Sequence, residues 1–485
     1  MGAAEPYANP SPLRRRAFLA LFLFSCAMAL NLQRLVDPDL FWHLRGGEDI
    51  IRAGRAALPD SWNYLFSGKV WINQQWLTEV IMALAFKAGG YWGLMALRTA
   101  VGLGCVILLM GALKKRPLAV RYTVAAVFVA CNAKFFLFRT HTFSFLGMAA
   151  LIYLLERLAP LKRLPWIIAL FALWANVHAF FGLGLLVLGI WAVANWWIGG
   201  RRFGMDTWAD AASVPLACAA TLLNPFGLGV WRTAFETLGH TESYLVTEWW
   251  PIWRYPFLAN ANFYLLVALV AAAAAVWHKK MHWPSISASS VLLLMGIKSV
   301  RLTSTFTLPA MPLLAGSLDE AFGWWRGEPK RDAASKRFFP LLPALLLAFS
   351  ALAASWIFSH PITTPREVPR VDYPVGAVNY MKEHNLSGKV FNEFDWGGYL
   401  VWADPALKTF IDGRTGVLLF PWGHMMAWKE TVDLGAGWRA RLEEGHPDFI
   451  LVNRDDYIVS QLLAEPGWKL LYMDHMAALF ARKTT

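Results

Sequence analysis

Apolar runs long enough to cross a lipid bilayer recur along the chain as far as Phe358, and they constrain its fold more than any other feature. About 20 apolar residues in a helix span the hydrocarbon core of a membrane. The first run is Ala17–Val36. The 485 residues are 57% hydrophobic and only 16% charged, whereas soluble proteins carry about 25% charged residues. The sequence therefore predicts a polytopic α-helical membrane protein.

Clusters of Lys and Arg between the apolar runs predict the orientation of the chain. The triplet Arg14–Arg16 precedes the first run, and later clusters fall on the same side of the predicted membrane. Because Lys and Arg stay on the cytoplasmic side, about eleven spans place the N-terminus in the cytoplasm and the C-terminus outside. The predicted spans are 17–36, 92–113, 121–136, 142–158, 165–179, 182–197, 211–223, 263–277, 286–299, 304–322 and 339–358. An integral protein of the bacterial inner membrane is expected.

The composition changes at Pro361. Pro361, Pro365, Pro369 and Pro374 predict an extended linker. Short β-like runs at 390–393, 409–412, 449–453, 470–473 and 477–481 then alternate with helical segments at 375–383, 428–443 and 458–465. We predict a transmembrane domain at 1–360, with a first outer loop at 37–91, and a soluble extracytoplasmic α/β domain at 361–485.

The positive charge of the chain lies in its membrane half. Residues 361–485 contain 13 Lys and Arg against 16 Asp and Glu, whereas the whole chain has 45 and 33. The excess is an orientation signal between apolar runs. No basic stripe with interleaved aromatic residues marks the polar domain, so no nucleic-acid partner is predicted.

The Asp37-Pro38-Asp39 sequence follows the first span directly and begins the first outer loop. Carboxylates at the end of a membrane helix lose solvation, which raises their pKa and favours a proton-accepting role. A simple helix stop with a proline turn is the alternative. Within the same loop, 43–54 predicts an amphipathic helix and 76–88 an apolar helix too short to cross, which we expect at the interface.

This order of an acidic pair, an amphipathic helix and an interfacial helix resembles the GT-C superfamily of membrane glycosyltransferases. That group includes oligosaccharyltransferase catalytic subunits, protein O-mannosyltransferases and the aminoarabinose transferase of lipid A. In those enzymes an acidic residue of the first external loop is the catalytic centre. By resemblance Asp37 and Asp39 occupy that place, with a slight preference for Asp37 as the first acid after the span.

A second resemblance lies in the polar domain. Phe394-Asp395-Trp396-Gly397-Gly398-Tyr399, followed by Lys408 to Arg414, resembles in part the WWDYG motif of oligosaccharyltransferases and its downstream basic-to-DG stretch. The match does not predict recognition of an Asn-X-Ser/Thr acceptor. A glycine-rich strand and turn with aromatic packing is the alternative reading.

The resemblance implies an inverting transfer from a polyprenyl-phosphate or -diphosphate sugar to a protein, lipid or glycan acceptor at the outer face. A carboxylate orients the acceptor or takes its proton, and cations hold the departing phosphate. The predicted outer-face cations are Arg45, Arg139, Arg232, Lys298 and Arg301, of which Lys298 and Arg301 are preferred. Snorkelling at the interface is their alternative role.

Three histidines, His43, His141 and His178, are predicted on the same face, and with the two aspartates they could hold a divalent ion such as Mg²⁺ or Mn²⁺. Their spacing is dispersed, so hydrogen-bonded interfacial histidines are the simpler reading and the metal is left unknown. Glu248, before Trp249 and Trp250, is expected to line an acceptor site or to anchor a loop. Catalytic residues are thus predicted at Asp37 and Asp39, and substrate-binding residues at His43, Arg45, His141, His178, Glu248, Lys298, Arg301, Asp395 and Trp396.

Two other functions fit parts of the sequence. A transporter or flippase for a lipid-linked glycan needs ionisable groups in the middle of spans, where this sequence is overwhelmingly apolar. A non-catalytic assembly protein would tolerate changes at Asp37 and Asp39.

Overall fold

The computed structural model describes residues 12–32, 37–200, 204–239, 245–276, 281–325, 373–414 and 419–483. The predicted span 339–358 and the linker prolines at 361, 365 and 369 lie outside these residues. The first part of the chain is helical. Its helices are α1 Pro12–Leu30, α2 Leu40–Ala53, α3 Trp76–Ala112, α4 Leu118–Asn132, α5 Thr142–Arg157, α6 Pro160–Trp174, α7 Phe181–Ile198, α8 Met205–Ala220, α9 Gly229–Gly239, α10 Ala261–Val276, α11 Trp283–Lys298 and α12 Thr307–Trp325.

Every predicted span that lies within the described residues corresponds to a helix. Among those residues, four helical stretches are both long and apolar enough to cross a membrane: Trp76–Ala112, Leu118–Phe135, Phe181–Ile198 and Phe257–Ala275. The number of spans and the side of each end stay predictions. Helix α9 lies between the predicted spans 211–223 and 263–277, where the sequence predicted no helix.

The long helix α3 is broken where the sequence separates an interfacial helix from a span. Gly89 and Gly90 have non-helical backbone angles, and Gly90 has a φ of 56°. A glycine adopts this left-handed region without steric cost. The break turns the chain between the segment that packs on α2 and the segment that packs among the other apolar helices.

Helix α2 holds the first outer loop against α3. It ends at Gly54, whose φ of 66° lets its N–H donate to the Ile50 carbonyl at 2.9 Å. A Cβ at Gly46 would lie 2.6 Å from Glu79 Oε2, and one at Gly47 would overlap the Glu79 carbonyl oxygen. The two glycines therefore bring the backbone of α2 close to α3 beside Glu79.

The last part of the chain forms a five-stranded sheet in the order β2-β1-β3-β5-β4. The first strand β1 pairs in parallel with β2 and β3, and β5 pairs antiparallel with β3 and β4. Its strands are β1 Gly388–Asn392, β2 Leu407–Thr409, β3 Phe449–Asn453, β4 Trp468–Met473 and β5 Ala477–Arg482, and its helices are α13 Val375–Glu383, α14 Gly397–Ala403, α15 Trp422–Val432, α16 Trp438–Leu442 and α17 Tyr457–Ala464. The predicted strands each overlap or adjoin an observed one.

One local expectation is corrected in this sheet. The sequence from Phe394 was given a strand and turn as its alternative reading, but Phe394–Trp396 forms a 3₁₀ turn that leads into helix α14. The close approach of α14 to neighbouring backbone explains the two glycines that begin it. A Cβ at Gly398 would lie 3.1 Å from Trp42 Cδ1 and 3.3 Å from the Pro38 carbonyl oxygen.

The sheet packs directly on the first outer loop. The Tyr373 hydroxyl donates to the Asp37 carbonyl at 2.8 Å, and the Thr409 N–H donates to the Trp62 carbonyl at 2.8 Å. Buried apolar residues of α2 and α3, such as Phe41 and Met82, share one core with Tyr399. The segments that follow the carboxyl ends of β1 and β2 contain Asp395 and Gly413, and both residues line the same cavity as Asp39. These ends face the Asp37-Pro38-Asp39 turn.

Candidate active site

The Asp37-Pro38-Asp39 turn presents its two carboxylates differently. The Asp37 side chain is 3% exposed, and it accepts a hydrogen bond at 3.0 Å from the Asp39 N–H. The Asp39 side chain is 23% exposed and lines a cavity, and its Oδ1 accepts from Trp42 Nε1 at 3.0 Å. Asp39 therefore meets any ligand in the cavity, whereas Asp37 lies behind it.

Arg139, in the turn before α5, joins these acids to the other side of the cavity. Its Nε lies 2.5 Å from the Asp37 carboxylate and 3.4 Å from Asp39 Oδ2. Its Nη1 donates to Glu248 Oε1, and Glu248 Oε2 accepts from Arg301 Nη1 at 3.1 Å. The Arg301 guanidinium also lies over the Trp249 ring, 5.3 Å from its centroid. Three carboxylates and two guanidinium groups thus form one network.

Burial and neighbouring charges shift the pKa values of the residues in and beside this network in different directions. Burial raises the pKa of Asp37 to about 6, and the nearby Asp39 charge adds to this, although Arg139 opposes it. Burial alone would also raise the pKa of Glu248, but Arg139 and Arg301 lower it to about 2. Burial and the same two arginines lower the pKa of His141 to about 4. At neutral pH Glu248 is therefore ionised and His141 is uncharged.

The cavity beside this network has a volume of about 890 Å³. One end is polar and contains Asp39, Arg139, Arg301 and the three histidines. The other end is apolar and is formed by residues of α7, α8 and α9 and of the segment after α9: Phe181, Leu183, Leu185, Leu186, Cys218, Trp231, Phe235 and Leu245.

A separate apolar groove adjoins the cavity along α7. The groove has a volume of about 610 Å³ and shares Leu185 and Leu186 with the cavity. Ile190, Val193 and Trp197 of α7 and Trp283 of α11 complete it. A ligand with a charged head and a long apolar tail matches this sequence of surfaces.

The sheet forms a third wall. Glu393 and Asp395 follow β1 and line the cavity with Gly413, Trp422 and Trp428. Burial, and then the Asp456 and Asp395 charges, raise the pKa of Glu393 to about 8. Burial and the Asp39 charge also raise the pKa of Asp395. This wall is therefore acidic and aromatic, whereas the opposite wall carries Arg139 and Arg301.

Behind the third wall a fully buried arginine joins the sheet to the outer loop. Arg414 donates to Asp60 Oδ1 at 2.6 Å and to Asp412 Oδ2 at 2.6 Å, and all three side chains are 0% exposed. Its guanidinium lies 4.0 Å from the centroid of the Trp62 ring. Gly413, between Asp412 and Arg414, reaches the cavity, so this buried network holds the turn that contacts Asp39.

Most of the predicted site residues come together in the cavity. Those that line it are Asp39, His43, His141, His178, Glu248, Arg301 and Asp395. Asp37 joins them through Arg139. The cavity lining does not include Arg45, Lys298 or Trp396.

The residues outside the cavity lining have other surroundings in the fold. Arg45 is on the opposite side of α2, where it pairs with Asp49 at 2.9 Å and donates to the Val401 carbonyl at 3.0 Å. Lys298 ends α11 with an exposed side chain. Trp396 is 4% exposed and packs in the core between the sheet and α2. Arg232, also among the predicted cations, is an exposed residue paired with Glu236.

Two charged residues of the site were missed or ranked too low. Glu79 hydrogen bonds to His43, and its position in an apolar helix gave no signal of this contact. Arg139 was placed on the outer face but was not preferred as a ligand contact. Its position in the short turn between two predicted spans was the available signal, because such a turn is confined to the membrane surface.

The residues present do not fit a metal centre. Among the described residues, no three His, Cys, Asp or Glu side chains are placed to hold a metal ion. The paired acids that were considered as ligands contact Arg139 instead. The divalent ion stays a prediction, and no chemical step is assigned to it.

Comparisons with known proteins bear on the fold. No protein-family model and no curated protein matches the chain by sequence. Several solved structures, however, match the chain in their fold. The arabinofuranosyltransferase AftD from Mycobacteria matches with a TM-score of 0.58 at 14% identity over 98% of this chain, which spans only 42% of AftD. ArnT from Cupriavidus metallidurans bound to undecaprenyl phosphate matches with a TM-score of 0.57 at 12% identity, over 97% of this chain and 98% of ArnT.

A third match is the oligosaccharyltransferase of Archaeoglobus fulgidus in complex with zinc and sulfate. It has a TM-score of 0.54 at 11% identity, over 89% of this chain and 68% of that one. All three similar proteins are GT-C glycosyltransferases. The resemblance drawn from the first outer loop is confirmed at the level of the fold, and the protein has the fold of the GT-C superfamily.

Proposed function

We propose that the protein transfers a sugar from a polyprenyl-phosphate or -diphosphate donor to an acceptor at the outer face of the membrane, with inversion. The observation that carries the proposal is that the cavity with Asp39, Arg139 and Arg301 in its lining adjoins an apolar groove along α7, since Leu185 and Leu186 line both. A phosphate group matches the cationic end and an isoprenoid tail matches the groove. The similar protein ArnT, which was solved with undecaprenyl phosphate, supports this class of donor.

The charges around the cavity suggest where each substrate lies. The donor phosphate binds between Arg301 and Arg139, because guanidinium groups form paired hydrogen bonds with phosphate oxygens. Its tail follows Leu185 and Leu186 into the groove. The acceptor enters along the wall of Asp395 and Trp428, opposite the phosphate. Attack from that side inverts the anomeric carbon, and the Asp39 carboxylate hydrogen bonds to the attacking hydroxyl.

The two alternatives are less well supported by the arrangement. A transporter would move a charged group past ionisable residues inside the helices. Arg98 of α3 is such a residue and was missed from the sequence, but it is held by Asn31 Oδ1 at 2.8 Å and is not part of the cavity lining. A passive assembly role does not explain why the cavity groups three acids around two arginines.

The test is transfer by the purified full chain in lipid nanodiscs, with a panel of synthetic polyprenyl-phosphate pentoses and hexoses as donors. We expect Asp39→Asn to lower the rate of transfer by at least about 100-fold, the lower range for a group that assists proton transfer. Asp37→Asn should act less strongly, because Asp37 acts through Arg139. Glu430→Gln is the control, because Glu430 of α15 is half-buried, pairs with Arg441 and does not line the cavity. Equal rates in wild type and both aspartate variants would reject the proposal.

A further inference from the structure

The hydrogen-bond partners of the three histidines in the cavity fix which ring nitrogen of each carries the proton. His141 Nε2 lies 2.9 Å from the Phe135 carbonyl, which can only accept, so Nε2 carries the proton. His178 Nδ1 accepts from the Phe180 N–H at 3.3 Å, so in the neutral ring the proton is on Nε2. His178 therefore offers a donor to a ligand, and His141 offers an acceptor.

His43 differs from both because its partner is a carboxylate. Its Nδ1 lies 3.0 Å from Glu79 Oε1, and the two side chains are 3% and 0% exposed. The second oxygen of Glu79 accepts from Asn73 Nδ2 at 2.5 Å. An ionised carboxylate can only accept, so the proton of the neutral imidazole lies on Nδ1 and the Nε2 lone pair is left for a ligand.

Two histidines thus present an accepting nitrogen, and their surroundings distinguish them. Burial disfavours the imidazolium form of His141, and the charges of Arg139 and Arg301 disfavour it further. The carboxylate of Glu79 favours the imidazolium form of His43. A buried carboxylate behind one imidazole nitrogen is the arrangement that orients a general base and stabilises its protonated form.

His43 is also placed beside the acid that faces the cavity. Asp39 directly precedes α2, and the His43 N–H in the first turn of that helix donates to the Asp39 carbonyl at 3.2 Å. Trp42 connects their side chains, because its ring lies 3.7 Å from the His43 ring and its Nε1 donates to Asp39 Oδ1. Gly46 and Gly47 pass so close to Glu79 that a Cβ on either would overlap it. Hydrogen bonds from His43 and Asn73 to its two carboxylate oxygens fix the orientation of Glu79.

We propose that His43 is the group that takes the proton of the acceptor hydroxyl, and that Glu79 is its positioning residue. The inference rests on the proposed transferase function and separates the tasks of Asp39 and His43. As the acceptor oxygen forms its bond to the anomeric carbon, its O–H bond breaks and the proton moves to His43 Nε2. The bond from that carbon to the donor oxygen breaks, and the phosphate leaves with the electron pair. The imidazolium then returns its proton to water.

The surroundings of His43 predict the effect of its partner on pH dependence. Burial lowers the pKa of His43, and Glu79 on α3 opposes this, whereas Arg139 and His141 of the turn before α5 lower it further. Asp39, which precedes α2, and also His178 and Arg301 border this end of the cavity. Removal of the Glu79 charge therefore lowers the pKa of His43 again and moves the acidic limb of the rate profile to lower pH.

The experiment compares wild type, His43→Gln and Glu79→Gln in nanodiscs. It measures the transfer rate from pH 4.5 to 8.5, the affinity for undecaprenyl phosphate and the melting temperature. We expect both variants to bind undecaprenyl phosphate as wild type does and to transfer at least about 100-fold more slowly, the range for loss of a general base. The Glu79→Gln profile should also shift to lower pH. His384→Gln, an exposed histidine of the sheet domain, is the control.

The outcomes separate this inference from the function on which it rests. A wild-type rate in His43→Gln, or an unshifted profile in Glu79→Gln, overturns the role of the pair. Loss of donor binding or a strongly lowered melting temperature in both variants does so too, because the pair would then be structural. Absence of transfer in wild type itself counts against the proposed function and not against His43.

Discussion

Gly413 touches Asp39 so closely that a single added methyl group would overlap Asp39 Oδ1 and lie 2.5 Å from Trp42 Nε1. The turn after β2 therefore limits where the carboxylate can lie. We predict that Gly413→Ala lowers transfer by about tenfold or more without a large loss of stability, because the carboxylate must rotate away. Gly423→Ala in α15 is the matched control, since a Cβ there meets nothing within 4 Å. Equal rates in the two variants would show that the contact does not position Asp39.

Removal of the buried Arg414 should destabilise the fold more than removal of an exposed arginine. Arg414→Met leaves Asp60 and Asp412 buried without a cation, and such a loss costs about 3–5 kcal/mol. We expect a clearly lower melting temperature of the full chain in nanodiscs. Arg439→Met removes an exposed pair with Glu465 and should cost about 1 kcal/mol or less. Similar melting temperatures for the two variants would contradict this reading of the buried network.

The two cations preferred from the sequence are expected to behave differently. Arg301 lines the cavity and holds Glu248, whereas Lys298, three residues earlier, has an exposed side chain outside the cavity lining. Arg301→Ala should weaken the binding of undecaprenyl phosphate by about tenfold or more, as expected for a charged hydrogen bond. Lys298→Ala should leave it unchanged. Titration of both variants by microscale thermophoresis measures this, and equal affinities would remove Arg301 from the phosphate site.

Donor binding should depend on pH through Asp37. The pKa of this carboxyl is raised to about 6, so Asp37 gains a proton as the pH falls from 7 to 5. The network of three carboxylates and two guanidinium groups then loses one negative charge, and an anionic donor binds more tightly. We expect about a fivefold gain, the factor that ~1 kcal/mol of electrostatic energy gives.

The donor phosphate also titrates in this range, so the gain is measured against a variant. Asp37→Asn removes the titrating group and leaves the phosphate unchanged. Its affinity should be less dependent on pH than that of wild type. The same pH dependence in both proteins would show that Asp37 does not change its charge in this range.

The predicted spans within the described residues coincide with helices because each is an apolar run bounded by polar or proline residues. The interfacial segment from Trp76 was separated correctly from the next span, since Gly89 and Gly90 lie between them. The acids after the first span were found from position alone. These features depend on local pattern and on the thickness of the membrane, both of which are readable from one sequence.

The partners of these acids depend on contacts that are distant in the sequence. Arg139 meets Asp37 across 102 positions, and Arg45 pairs with a neighbour on its own helix instead of a ligand. The sequence places both arginines on the outer face but does not show which partner each one meets. Glu79 is similar, because its contact with His43 arises only when the glycines of α2 let that helix approach α3. Tertiary packing therefore decided which predicted residues share the cavity.

The buried contact between Asp60 and Arg414 joins positions that are 354 residues apart. At a synthesis rate of about 5–20 residues per second, the outer loop waits roughly 20–70 s for this partner. During that time Asp60 has no guanidinium to compensate it and remains in water. The first outer loop can therefore pack against Arg414 only after the sheet at the end of the chain has been synthesised. The cavity is incomplete until then.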